Sequence, residues 1–119
     1  MAKKISFKTR SQITNEEIII AEGVLGETVI EHENYYYVSP EALTHQVEEM
    51  INITDGTPHD QEKGVKHYVN LVNPDTNEII KPKIAWIYHD TAEGMEHIID
   101  KYGFSKISDN AVTVEEVNQ

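Results

Sequence analysis

The sequence between residues 63 and 83 contains several lysines, a glycine and a tyrosine, and these are the residues best suited to bind an anion. Gly64 lets a backbone N–H approach a ligand closely, because glycine has no side chain. Lysine ammonium groups act as compact point charges towards phosphate or carboxylate. We therefore expect Lys63, Gly64, Lys66, Tyr68 and Lys83 to border a site for a small anionic or phosphate-bearing ligand.

A plainer interpretation of the same residues stays open. The Gly-x4-Gly-Lys-Ser/Thr pattern of a P-loop is absent, so the Lys63-Gly64 pair has no phosphate-binding motif around it. Lysines are also common on the solvated face of a sheet whose other face is buried. The pattern therefore also fits an exposed lysine surface opposite the core.

Histidines form the second group of candidates, and the chain has six of them. No pair has the spacing of a zinc-protease helix, and the chain has no cysteine for a thiolate zinc site. His59, Asp60 and His67 could meet across a loop in a weak metal or acid–base arrangement. Scattered surface histidines are the simpler interpretation, and we assign no metal, no cofactor and no catalytic residue.

The lysine candidates depend on a β-hairpin. Residues 66–72 and 79–87 are rich in β-forming residues, and the run from Asn73 to Asn77 between them contains Pro and Asp at positions typical of a turn. We predict that 66–72 pairs antiparallel with 79–87.

The register of this hairpin decides which side chains are buried. A buried face selects the register that gathers apolar residues, and this places Trp86 in the core together with Ile84 and Tyr88. The opposite, locally basic face then carries Lys66, Tyr68, Asn70, Lys81, Lys83 and Ala85.

Further strands and two short helices are predicted around the hairpin. β-Branched and aromatic residues indicate strands at 17–21, 24–30, 34–38 and 111–114. The run Tyr35-Tyr36-Tyr37 must place its middle ring on the opposite face from the other two, so we expect an exposed ring there.

Each predicted helix has its own start signal. Ser39 and Pro40 are typical of an N-cap and a first helical position, and Asp90 with Glu93 resembles a capping box. Gly103 is suited to end the second helix. The apolar faces of the two helices would be Leu43, Val47 and Met50, and Met95, Ile98, Ile99 and Tyr102.

Strands in adjacent pairs, with only two short helices, predict an α+β fold. We expect a curved antiparallel sheet or a half-open β-barrel, with the helices at its edge or end. Residues 16–117 would form a single domain. Residues 1–15 would be a basic N-terminal arm or an edge strand.

Charge is unevenly distributed along the 119 residues, whose net charge is −11. The first ten residues carry four basic side chains and no acid, whereas 6 basic and 21 acidic residues follow. An acidic surface repels nucleic-acid phosphates, so we expect no direct nucleic-acid binding. It would suit a basic protein partner, although acidity also simply keeps a small protein soluble.

The N-terminus has no apolar signal region, and no apolar run has the length of a membrane span. We therefore expect a soluble cytoplasmic protein without a membrane partner.

Two short motifs have a distinctive order and spacing. Lys63-Gly64 is followed by Tyr68 four residues after the glycine, and the run Ala85-Trp86-Ile87-Tyr88 comes next. They resemble the Lys-Gly-x3-Tyr and Ala-Trp-x-Tyr motifs of a small bacterial and fungal family, the domain of unknown function four-two-seven. That family is sometimes labelled nucleotidyltransferase-like without an established activity, and the resemblance covers about residues 22–117.

The chain also departs from that family at its centre. The family's Cys-Pro-aromatic triplet is replaced by Asp60-Gln61-Glu62, and the proline that follows its Trp-x-Tyr motif is Thr91. Any chemistry that depends on the family's cysteine is therefore lost, which counts against an enzyme. The resemblance implies an uncharacterised small β-rich domain.

Two functions remain open. The first is a small ligand-binding domain, and the second is an acidic protein-interaction module or a nucleic-acid mimic that inhibits a basic partner protein. A mimic needs rows of carboxylates at phosphate spacing. A ligand-binding domain needs a concave site with convergent polar groups.

Overall fold

Ten strands form two antiparallel sheets in the computed structural model, which describes residues 3–54, 57–60, 64–90, 94–109 and 111–118. The strands are β1 (Lys3–Arg10), β2 (Glu17–Val24), β3 (Val29–His32), β4 (Tyr35–Val38), β5 (Ile51–Ile53), β6 (Thr57–Asp60), β7 (Gly64–Val72), β8 (Ile79–Ile87), β9 (Tyr102–Ser105) and β10 (Thr113–Asn118). The smaller sheet has the order β10-β1-β2. The larger sheet has the order β3-β4-β9-β8-β7-β5, with β6 also paired to β7.

The predicted α+β class is wrong, because the described residues contain a single α-helix of four residues, α1 (His45–Glu48). Two sheets also replace the expected single curved sheet or half-open barrel. Two further turns, Pro40–Ala42 and Glu96–Ile98, are 3-10 helices. The architecture is therefore a mostly β fold.

Long-range hydrogen bonds interrupt the first predicted helix. Leu43 and Thr44 are extended, with ψ of 144° and 153°, and Leu43 forms a bridge to Ala21 of β2. The Thr44 hydroxyl donates to the carbonyl of Ile19 at 2.7 Å, which pins this segment to the edge of the smaller sheet. The apolar stripe is still buried, since Val47 is fully covered.

The second predicted helix is also absent where the structure describes it. Residues 91–93, which include most of the proposed capping box, lie outside the described residues. Tyr102 was expected on the helix but begins β9, which pairs with β4 and β8. Pairing on both sides of β9 therefore overrides the local helical pattern.

The segment expected to be an arm or an edge strand is the central strand of the smaller sheet. β1 pairs with β2 on one side and with β10 on the other. Phe7 on this strand is fully buried, with its ring 4.4 Å from Phe104 and 6.1 Å from Tyr36 between ring centroids. β1 therefore contributes Ile5 and Phe7 to the main core, which is the larger of the two clusters of buried apolar side chains.

The lysine charges of β1 are paired with carboxylates within the smaller sheet. Its three lysines each lie close to a carboxylate on a neighbouring strand: Lys3–Glu116 at 3.8 Å, Lys4–Glu22 at 3.2 Å and Lys8–Glu115 at 3.3 Å. Such exposed pairs contribute little to stability. They do explain how a basic segment becomes a central strand in an acidic protein.

A hydrogen bond links the two sheets at their rim. The Tyr36 hydroxyl of β4 donates to the Glu116 carboxylate of β10 at 3.2 Å. Burial raises the pKa of the Tyr36 hydroxyl, and the adjacent Glu116 carboxylate raises this pKa further. The hydroxyl therefore stays protonated, and remains a donor to Glu116, at pH values above those at which an ordinary tyrosine loses its proton.

No helix in the described part of the chain is long and apolar enough to cross a membrane.

We expect Phe7→Ala to lower the free energy of unfolding by about 3–5 kcal/mol, because it leaves a cavity between the two sheets. The measurement is the midpoint of urea unfolding. Ile107→Ala is the control, since that side chain is 78% exposed and should change little. A Phe7→Ala midpoint equal to that of the unsubstituted protein would show that β1 does not belong to the core.

Candidate functional site

The predicted hairpin between β7 and β8 is confirmed, but its faces differ from those expected. Tyr68 lies opposite Trp86, and Val69 lies opposite Ala85. Val69 and Ala85 belong to the main core, so Trp86 projects from the other face together with Tyr68. The expectation that Trp86 shares the buried core face with Ile84 is therefore wrong.

A register break at Lys83 explains why Trp86 lies on the face opposite the main core. Lys83 has a φ of +50°, in the left-handed region that side chains rarely adopt, and the β7–β8 register shifts beside it. The Lys83 backbone N–H donates to the side-chain oxygen of Asn70 on β7 at 2.8 Å, which holds the break in place. Beyond the break, Ile84 and Ala85 are neighbours in sequence and both are buried in the main core. The next residue, Trp86, then points to the opposite side.

Four side chains meet on this opposite face, which we call the lysine–aromatic face: Lys66, Tyr68, Lys83 and Trp86. The Lys66 ammonium lies 4.7 Å from the centroid of the Trp86 ring and 5.4 Å from that of Tyr68. The Lys83 ammonium lies 5.2 Å from the Tyr68 centroid. Two cations and two adjacent rings thus form one patch, in which Lys83 is exposed and the other three are half-buried.

Residues of β4 and β9 contact the Trp86 ring and fix its position. Its indole N–H donates to the Tyr37 hydroxyl at 3.3 Å, and the Tyr35 ring meets it edge-on at 5.0 Å. Gly103 of β9 lies directly opposite Trp86, and a Cβ at that position would overlap the indole. Tyr37 is fully buried in a second, smaller cluster. The ring is therefore fixed on one side and partly open on the other.

The remaining members of the predicted site lie in different places. Lys63 lies outside the described residues. Gly64 begins β7 and pairs with Asp60 of β6. Lys81 is not on the lysine–aromatic face but lines a separate cavity beside β1. Ile84 is 4% exposed in the main core, and Tyr88 is 2% exposed in the second cluster with Tyr37.

Alternation in the tyrosine run also holds, as predicted. Tyr36 joins the main core, whereas Tyr35 and Tyr37 contact Trp86 on the other side of the sheet. None of the three rings is fully exposed, which differs from the expectation. The period of two in the strand was thus the one sequence signal that could have identified Tyr35 and Tyr37 as supports of this face.

Histidines pair in ways that the sequence analysis did not anticipate. The rings of His67 and His89 lie 5.0 Å apart, and His89 contacts the Asp100 carboxylate at 2.7 Å. His97 and His32 share a hydrogen bond of 3.0 Å between ring nitrogens. Where the structure describes the chain, no group of three or more His, Asp or Glu residues is arranged to hold a metal ion.

The proposed meeting of His59, Asp60 and His67 is only partly described. The side chains of His59 and Asp60 lie outside the described residues. The Nδ1 atom of His67 is bonded to the carbonyl of Thr54 at 2.9 Å. This His67 nitrogen is therefore occupied by the backbone.

Comparison with known proteins shows the family to which the chain belongs. A family model described as a domain of unknown function (DUF427) matches residues 5–118. The match confirms the resemblance seen in the sequence and extends it to β1, in agreement with the central position of that strand. No curated protein matches the chain.

We expect Gly103→Ala to destabilise the fold by about 1–3 kcal/mol, because the added methyl group must displace the Trp86 indole. Urea unfolding measures this loss. In a Trp86→Leu background the same substitution should cost less, since the indole is gone. Equal losses in the two backgrounds would show that Trp86 does not lie against Gly103.

Proposed function

The chain belongs to the DUF427 family of domains of unknown function, and from this premise we propose that it binds a small anionic ligand at the lysine–aromatic face. The ligand class is a molecule that combines a phosphate or carboxylate group with a planar ring. The observation that carries the proposal is the position of two lysine ammonium groups over two adjacent aromatic rings, Lys66 over Trp86 and Lys83 over Tyr68.

The charge of Lys83 is available to a ligand. Where the chain is described, no carboxylate lies within the 4.0 Å salt-bridge distance of its ammonium. In contrast, Lys3, Lys4, Lys8 and Lys106 all contact carboxylates. An exposed cation on a protein of net charge −11 attracts an anionic ligand locally even though the whole protein repels it.

Magnitudes favour displacement of the Lys83 ammonium from the Tyr68 ring by a ligand. A cation–π contact at an exposed site contributes about 0.5–1 kcal/mol. A charge-assisted hydrogen bond to a phosphate or carboxylate contributes about 1.5–3 kcal/mol. Binding an anion therefore more than offsets the loss of the cation–π contact, and a lysine that turns to the anion uncovers a ring face.

The planar part of the ligand is suggested by Trp86. Stacking of a base on an aromatic side chain contributes about 1–3 kcal/mol. Tyr35, Tyr37 and Gly103 already hold the indole, so little side-chain entropy is lost when a ligand stacks on it. A nucleotide has both required parts, a planar base and a phosphate.

The proposal is one of binding without catalysis. The lysine–aromatic face consists of lysine and aromatic side chains, with no histidine or carboxylate among its four members to serve as general base. The cysteine of the family's Cys-Pro-aromatic triplet is also missing from this sequence.

Ion pairing counts against the alternative of a nucleic-acid mimic on the smaller sheet. A mimic needs free carboxylates in rows. Glu22, Glu115 and Glu116 on this sheet are each paired with a lysine of β1. The acidic surface described there is therefore largely neutralised, and we do not carry this function further.

Titration of the protein with adenosine diphosphate should change the fluorescence of Trp86, the single tryptophan of the chain. Lys83→Gln and Lys66→Gln should each weaken binding about tenfold or more, because each removes a charge-assisted contact. Their unfolding midpoints should stay nearly unchanged, since partly exposed lysines contribute little to stability.

Lys4→Gln is the matched control, because it removes one positive charge from the smaller sheet, where Lys4 is paired with Glu22. Adenosine and ribose 5-phosphate test the two halves of the ligand separately, and each should bind more weakly than the diphosphate. Equal affinity of the Lys83, Lys66 and Lys4 variants would contradict the proposal.

A further inference from the structure

A second polar site lies on the far side of the register break, where three parts of the chain converge. A cavity of about 470 Å³ is lined by three parts of the chain: the segment from the end of β1 to the start of β2, the start of β8, and β10 with the segment before it. This volume is in the range of small-molecule sites. Its charged lining residues are Lys8, Arg10, Glu17, Lys81, Asp109 and Glu115.

Part of this charge is already satisfied within the protein. Lys8 is paired with Glu115 at 3.3 Å. The Asp109 carboxylate accepts hydrogen bonds from the backbone N–H groups of Ala111 at 2.8 Å and Val112 at 2.9 Å. These contacts leave two cations to consider, Arg10 and Lys81.

Neither Arg10 nor Lys81 has a carboxylate within 4.0 Å in the described part of the chain. Arg10 lies opposite Glu17 across β1 and β2 without forming an ion pair with it. An arginine fork has five N–H donors, and within the described part of the chain this side chain makes one hydrogen bond, to the carbonyl of Asn15 at 2.9 Å. Donors of Arg10 therefore remain for a ligand.

Backbone contacts hold the two cations on the same cavity. The Asn15 carbonyl that accepts from Arg10 belongs to a turn in which the Asn15 N–H donates to the Ser11 carbonyl at 2.8 Å. In the same connection, the Gln12 N–H donates to the carbonyl of Ile80 at 2.9 Å, and Ile80 precedes Lys81. The connection that positions Arg10 is thus bonded to the strand that carries Lys81.

We infer that this cavity, which we call the polar cavity, binds the phosphate or carboxylate group of a second small ligand through Arg10 and Lys81. Arginine is suited to this role because its planar fork matches the geometry of both groups. The carboxylates of Glu17 and Asp109 on the same lining would accept hydrogen bonds from hydroxyl or amine groups of that ligand. The ligand class is therefore small and highly polar, and the site shares no residue with the lysine–aromatic face.

The test is a ¹H–¹⁵N NMR titration of the whole chain with inorganic phosphate and, separately, with succinate, at constant ionic strength set with sodium chloride. At least one of the two probes should produce saturable shifts of the backbone amides of Gln12, Lys81 and Ala111. The response to one probe or the other distinguishes phosphate from carboxylate recognition. The indole N–H signal of Trp86 reports the lysine–aromatic face independently.

Arg10→Gln and Lys81→Gln should each weaken the response about tenfold or more, because each removes a charge-assisted contact. The Lys81 variant does not depend on the Arg10–Asn15 bond, so it tests the site without disturbing the turn. Lys4→Gln is the matched control and should bind as the unsubstituted protein does. Absence of saturable shifts with both probes, or unchanged affinity in either variant, would overturn the inference.

Discussion

A break in strand register around Lys83 decides what the larger sheet presents to solvent. Successive side chains in a strand point to opposite faces, and this alternation is interrupted in β8, where residues 82–84 lie opposite Asn70 alone. Lys83 is the middle residue of this break, with its left-handed φ of +50° fixed by a hydrogen bond to Asn70. Because of it, Trp86 leaves the core and joins Tyr68. Gly103 on the next strand supplies the space that the indole needs there.

Local sequence patterns predicted the elements whose contacts are local. The hairpin of β7 and β8 follows from its turn, where the Asn73 side chain accepts from the backbone of Asp75 and Thr76. The register break did not follow, because a lysine with positive φ carries no local signature and depends on Asn70 of another strand. Helix start signals at Ser39 likewise failed against long-range contacts of the next residues with β2. The charge of β1 concealed its core position, since its neutralising carboxylates come from distant parts of the chain.

The candidate site was predicted in part for the same reason. Lys66, Tyr68 and Lys83 belong to one hairpin, and the structure brings them together on one face. Trp86 was assigned to the wrong face, and its supports on β4 and β9 are distant in sequence. On this acidic protein the cations without a described carboxylate partner are informative. Lys83 marks the lysine–aromatic face, and Arg10 and Lys81 mark the polar cavity.

The central claim is that Trp86 and the two lysines form a ligand-binding face. The most direct measurement is the ¹H–¹⁵N NMR spectrum of the chain during a titration with adenosine diphosphate, since the single tryptophan gives one indole N–H signal. We predict a saturable shift of this signal together with the backbone amides of Tyr68 and Lys83. An indole signal that does not move during the titration would contradict the account, whether other amides shift or not.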